Sequence, residues 1–211
     1  MECVFGLVGD GFALIVEDAS ALQSIIVQKT SEDKIMKLDS HKLLGATGER
    51  GDRVQFTEFI QKNIHLYEYR NGIPLSTPAA ANFTRNELAQ ALRKSPYFVN
   101  LIMAGFDKEV GPSLYYIDYI ATLHKLEKGA LGYCSNFILS TMDKYYQKGM
   151  SLDESLKLVD MCIKEIRTRL VASPPNFLIK IVDKDGARVL SWQKTIEDVA
   201  SNVSVPVAIE A

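Results

Sequence analysis

Apolar residues fill two short runs at positions 4–8 and 12–16, separated by Gly9-Asp10-Gly11, a spacing that predicts a β-hairpin. Positions 24–28 predict another strand, Ser31-Glu32-Asp33 a polar turn, 34–38 a short alternating segment and 43–46 a further strand. Gly45, Gly48 and Gly51 then punctuate a strand-to-helix corner at intervals of three. Beyond it the period changes. Phe56, Phe59, Ile60, Ile64 and Tyr67 recur at steps of three and four, while Glu58, Gln61, Lys62 and Glu68 face elsewhere, as in a helix with one buried stripe. That helix is expected to start near Asp52 as N-cap, with Gln55 reaching back, and to stop at Asn71-Gly72. A second helix is expected from Thr77 as N-cap with Pro78 at the first helical position, ended by Ser95-Pro96.

Sheet character returns at 99–106 and 114–119, and 121–126 reads as a continuation of the meander. Phe137, Ile138, Met142 and Tyr145 predict a helix ending near Gly149. The next helix carries a capping box, Ser151 with Glu154, and the stripe Leu152, Leu156, Val159, Ile163, Ile166 and Leu170. Pro174-Pro175 breaks that pattern, 177–182 predicts a strand, Lys184-Asp185-Gly186 a tight turn and 187–190 the returning strand. The order is thus strands, two helices, strands, two helices, strands. Each helix pair has one apolar stripe and needs a sheet to cover, which predicts the α+β class with two sheets face to face and helices outside, a four-layer αββα sandwich.

Composition narrows the functional classes. A chain of 211 residues suffices for one domain burying roughly 70% of its unfolded surface. The net charge of -2, with 24% charged residues, argues against electrostatic binding of nucleic acid or membrane. No apolar run reaches the roughly 18 residues that a membrane-spanning helix needs, and positions 1–30 lack a signal-peptide pattern, so the expected location is cytoplasm and nucleus. Cys3, Cys134 and Cys162 form no CxxC pair and are expected to be reduced. His41, His65 and His124 are scattered, so no metal and no cofactor is expected. The Asp183-Lys184-Asp185-Gly186 turn has the opening of a calcium loop without its later Glu, and a hairpin explains it better. Asn82-Phe83-Thr84 and Asn202-Val203-Ser204 match a glycosylation triplet by chance.

The string GERGDRVQFTEFIQKNIHLYEYRNG at 48–72, followed by PAAANFTRNELAQAL at 78–92, resembles the two-helix unit of the proteasome beta subunits, and among them the non-catalytic members. The likeness runs from residue 1 to about 192, through PYFVNLIMAGFD, LYYIDYIATL, the Gly132-Tyr133 step and IVDKDG. It implies a single beta-type domain over 1–192 with the fold of N-terminal-nucleophile hydrolases, the same αββα sandwich that the element order predicts. It also implies partners: other alpha and beta subunits in stacked seven-membered rings that enclose a proteolytic chamber.

In active members of that family a leading threonine attacks the peptide carbonyl, its own α-amine serves as base, and a lysine and an aspartate tune the pair. This chain opens Met1-Glu2-Cys3, with no Gly-Thr junction nearby, so the attacking part is expected to be missing. The resemblance places remnants of the site at Asp18, at Lys34 and at Gly48, whose backbone N–H matches an oxyanion donor. Two departures accompany them. Gly132-Tyr133-Cys134 stands where the family has glycine-serine-glycine, and Leu170 precedes Ser173 where active members have an aspartate. Asp18 and Lys34 are expected as a structural ion pair, Gly48 as a turn residue, and Cys3 as a buried hydrophobe rather than a nucleophile.

If the pocket is silent, function lies in contacts. Tyr67, Tyr69, Tyr115, Tyr116, Tyr119, Tyr145 and Tyr146 are candidate interface residues, about half of them expected to face the core. The segment 193–211 is read as an extension able to lie along a neighbouring subunit, or as a frayed end. The expected function is therefore a non-catalytic wall subunit of a protein-degrading chamber. Two alternatives stand beside it: an active N-terminal-threonine peptidase with an unrepresented prosequence, and a free-standing scaffold domain of the same fold.

Overall fold

The computed structural model describes residues 2–23, 26–171 and 174–193. Strands β1 (Cys3–Gly9), β2 (Phe12–Asp18), β3 (Ala21–Gln23), β4 (Ile26–Lys29), β5 (Ile35–Asp39) and β6 (Lys42–Gly48) come first. Helices α1 (Arg50–Asn71) and α2 (Thr77–Ala91) follow, then β7 (Val99–Asp107), β8 (Gly111–Ile117), β9 (Leu123–Leu126) and β10 (Lys128–Gly132). The described chain closes with α3 (Ser135–Tyr145), α4 (Leu152–Arg169), β11 (Phe177–Asp183) and β12 (Gly186–Gln193).

The strands form two five-stranded antiparallel sheets, β10-β1-β2-β11-β12 and β5-β6-β7-β8-β9, with β3-β4 as a separate hairpin. Strand alternation shows how they stack. Phe5, Leu7, Leu14, Val16, Ile179 and Ile181 pack with Ile138, Leu158, Val159 and Ile163 of α3 and α4. The intervening Val4, Ala13, Ile15 and Val182 meet Leu43, Ile102, Ala104 and Leu114 of the other sheet. Leu44, Ala46, Leu101 and Met103 turn outward onto Phe56, Ile60, Ile64 and Leu88 of α1 and α2. The order is helices, sheet, sheet, helices. Because inner strands are covered on both faces, β1, β2 and β11 read as continuous rather than alternating apolar runs. Small residues let the layers close: a Cβ on Gly45 would sit 2.8 Å from Val4 Cγ1, and one on Gly105 would sit 2.3 Å from the Thr77 hydroxyl.

Several boundaries differ from the expectation, each for a tertiary reason. Helix α1 begins at Arg50 after Glu49, which makes no side-chain cap, while Asp52 reaches away to accept the Phe98 N–H at 2.9 Å. Ser76, not Thr77, caps α2 by accepting from the Ala79 N–H, and the Thr77 N–H goes to Asp107. The buried stripe of α1 is Arg53, Phe56, Thr57, Ile60 and Ile64, whereas Phe59 and Tyr67 are exposed. Helix α3 stops at Tyr145 rather than near Gly149, and Leu170 is the extended residue that ends α4. Residues 121–126 are not one strand, since β9 begins at Leu123, and Lys128–Gly132 is a separate strand that crosses to the other sheet beside β1. Of the tyrosines, Tyr67, Tyr69, Tyr119 and Tyr145 are exposed, Tyr115 is buried, and the partly buried Tyr146 donates to the Val8 carbonyl at 2.8 Å. The expectations for Met1, Ser24, Ser173 and 194–211 lie outside the described residues.

Candidate functional site

The site grows from the β1–β2 hairpin. The antiparallel register sets Val4 against Glu17, which brings Asp18 beside Cys3, and the Cys3 N–H donates to Asp18 Oδ2 at 2.5 Å. Asp18 Oδ1 accepts from the Ser20 N–H at 3.2 Å and from Lys34 Nζ at 2.8 Å. Lys34 Nζ reaches two more oxygens, the Asp18 carbonyl at 2.8 Å and the Ser20 carbonyl at 2.9 Å. An ammonium has three protons, and each has an acceptor here. The side chains of Lys34 and Asp18 are only 1% and 2% exposed, so the pair is sealed.

Gly48 ends β6 at the same edge, with φ 133, a left-handed conformation that favours glycine. A Cβ there would lie 2.0 Å from the Phe98 carbonyl oxygen, so the position excludes any side chain. Its N–H points into the site and donates to Glu2 Oε2 at 2.7 Å. The other carboxylate oxygen, Glu2 Oε1, lies 3.7 Å from Arg53 Nε. The Glu2 carbonyl in turn accepts the Tyr133 N–H at 3.2 Å, which brings the Gly132-Tyr133-Cys134 turn against the cluster. Asp18, Lys34, Gly48 and this turn therefore converge on one short segment, Glu2-Cys3.

Sequence reasoning expected the Asp18–Lys34 ion pair but missed the charges beside it. Glu32, Asp33 and Lys34, read as a turn and the start of a segment, tie to three different elements. Glu32 accepts from the Arg53 guanidinium of α1 at 2.6 Å, Asp33 pairs with Lys180 of β11 at 2.6 Å, and Lys34 holds Asp18 of β2. Lys180 also donates to the Ile35 carbonyl at 2.6 Å. The partners of Glu32, Asp33 and Lys34 lie 21, 147 and 16 residues away, beyond any local pattern. Arg53 alone carried a legible signal, as a charge on an otherwise apolar helix stripe three residues before Phe56.

Burial and these partners set the electrostatics. Burial pushes the Glu17 carboxyl well above the ordinary range, although the Lys34 N–H opposes this, donating at 2.7 Å. Partial burial would lift Glu32, but the hydrogen bond and charge of Arg53 outweigh it and hold that carboxyl below its usual value. The Cys134 thiol is raised by its hydrogen bond with Cys3 and by burial. Cys3 is 1% exposed, and Ser20, whose hydroxyl makes no hydrogen bond, is also 1% exposed, so neither sulfur nor hydroxyl faces a substrate. Among the described residues no group of three His, Cys, Asp or Glu is placed to hold a metal ion.

Two facing sheets between helix pairs, with an Asp–Lys pair behind β1 and a glycine N–H before it, define the N-terminal-nucleophile hydrolase sandwich as the class of this fold. Residues 2–182 match the family model described as proteasome subunit, and the chain belongs to that family. It is 66% identical to proteasome subunit beta type-2-A of Arabidopsis thaliana over 203 residues, covering 96% of this chain and all of the relative. It is 69% identical to proteasome subunit beta type-2 of Oryza sativa subsp. japonica over 188 residues, 89% of each chain. With proteasome subunit beta type-4 of Saccharomyces cerevisiae it shares 38% over 190 residues, 89% of this chain and 96% of the relative.

Proposed function

We propose that this chain is a structural, non-catalytic beta subunit of the 20S proteasome core, built into a seven-membered ring with other beta subunits and stacked against alpha rings. Its task there is to wall the chamber and hold catalytic neighbours in place for ubiquitin-dependent protein degradation, in cytoplasm and nucleus. The family match and the high identity to beta type-2 relatives support the ring assignment.

One observation carries the silent-site reading: the side chain lying on the Gly48 N–H is the carboxylate of Glu2, not a hydroxyl. A carboxylate there fills the donor that would otherwise stabilise a developing oxyanion. The ammonium of Lys34, fully engaged behind it, then serves as a structural tie.

The test uses native particles. Blue-native electrophoresis of cell extract with peptide identification is expected to find this chain co-migrating with other proteasome subunits. A stable 23.5 kDa monomer would overturn the assembly. A reagent that traps an N-terminal hydroxyl together with its α-amine is expected to label other chains of the particle and leave this one unmodified. An adduct on a peptide of this chain would refute the non-catalytic reading. Cell fractionation checks the location.

A further inference from the structure

The Gly48 N–H and the Arg53 guanidinium approach the two oxygens of one carboxylate from different elements, β6 and α1. Both are also held by partners other than Glu2. The strained glycine is held by β6 pairing with β7, and the next N–H, that of Glu49, donates to the Phe98 carbonyl at 3.0 Å. Arg53 is 4% exposed and anchored by Glu32 through its terminal nitrogen, while its buried Nε makes no hydrogen bond and faces Glu2 Oε1. A buried guanidinium nitrogen without an acceptor is costly unless an anion stands before it. The first turn of α1 adds its own positive end, since Gly48 directly precedes Glu49, the N-cap residue of that helix.

Glu2 is held on its side as well. The Cys3 N–H is fixed by Asp18 and the Glu2 carbonyl by Tyr133, so the carboxylate is presented to the donors with few torsions left free. A ligand attached in this way competes at an effective concentration in the mM range or above.

We propose that Gly48 and Arg53 form a carboxylate-binding pocket and that Glu2 is its tethered occupant, so that vacating Glu2 opens the pocket to free monocarboxylates, the class to which the C-terminal group of a peptide belongs. The proposal rests on the non-catalytic reading of the same site and adds what the site recognises. Gly48 is exposed to solvent, so an outside carboxylate can reach its N–H once Glu2 is gone.

The test is acetate titration of the 15N-labelled full chain, following the Gly48 amide and the Arg53 Nε–H resonances. In Glu2→Ala both signals are expected to shift saturably with sodium acetate and not with sodium chloride at equal ionic strength. The wild type is expected to need measurably more acetate for the same change, because the tethered Glu2 carboxylate must first be displaced. Adding Arg53→Lys to Glu2→Ala is expected to weaken acetate binding, because the charge remains but the Nε donor is lost. If Glu2→Ala does not fold, Glu2→Gln keeps the size without the charge, and its Gly48 amide is expected to move upfield of wild type. Equal titration of wild type and Glu2→Ala, the same response to chloride, or an unmoved Gly48 amide in Glu2→Gln overturns the proposal. Each result is independent of whether a hydroxyl-trapping reagent labels the chain, so the pocket and the non-catalytic reading fail separately.

Discussion

Substituting Asp18 by Ala tests whether the buried pair holds the fold together. The change leaves the Lys34 ammonium, with a side chain 1% exposed, in contact with two carbonyl oxygens and no counter-charge. It also strips the Cys3 and Ser20 N–H groups of their acceptor. Breaking a buried pair from one side costs about 3–5 kcal/mol, and an orphaned buried N–H costs about 1 kcal/mol or more. With two such N–H groups a total of about 5–7 kcal/mol follows. With a urea dependence of about 3 kcal/mol/M for a chain of this size, the unfolding midpoint of the full chain should fall by about 2 M. Lys34→Met should cost less, about 2–4 kcal/mol, because the carboxylate keeps its two backbone donors. The double variant carries no buried charge at this point, so its cost should fall short of the sum of the two by about 1–3 kcal/mol. Additive costs, or an Asp18→Ala midpoint close to wild type, would refute the reasoning and leave the pair without a structural role.

Three further outcomes are expected. Glu17 has a raised carboxyl, so the stability contributed by its neutral form is present below the ordinary value of about 4.3 and is lost as pH rises toward the raised one. Glu17→Gln should therefore match wild type in urea near pH 4 and exceed it increasingly toward pH 8, and a gap that does not vary with pH would contradict this. Gly105→Ala drives a methyl group to 2.3 Å from the Thr77 hydroxyl and should cost about 1–3 kcal/mol, much of it recovered on adding Thr77→Ala, as calorimetry would show. Burial pushes the Cys162 thiol up to about 12, and Cys3 and Cys134 are buried too, so a thiol reagent at pH 7.5 should label none of the three natively and all of them in urea.

What could be read in advance follows from how local each determinant is. Helix α4 is legible because Ser151 and Glu154 cap each other reciprocally three residues apart. The β1–β2 hairpin is legible because both strands lie in the interior of a sheet and are apolar throughout. Strand β10 was not: KGALG holds two glycines and a lysine, and only its pairing with β1 makes it a strand. Asp52 had the spacing of a cap, yet the Phe98 N–H, 46 residues on, claims its carboxylate. At the site, family resemblance pointed to Asp18, Lys34 and Gly48, which the fold brings to one short segment. Glu2 stayed invisible as a ligand because a single glutamate carries no periodicity, and its meaning depends on a helix and a strand folding up to meet it.

The hairpin β3–β4 has a consequence of its own. The Glu32 N–H donates to the Ala19 carbonyl at 2.8 Å and Lys34 grips the Ser20 carbonyl, so both ends of the finger are clamped at its root. Beyond that clasp, β4 is exposed along its whole length, with Ile26 64% and Val27 50% accessible. Both anchors lie in the segments that flank the hairpin, so substitutions of Ile26 and Val27 on exposed β4 leave them in place. The exposed residues of β4 are thus free to vary in texture while the layers that bear them stay the same.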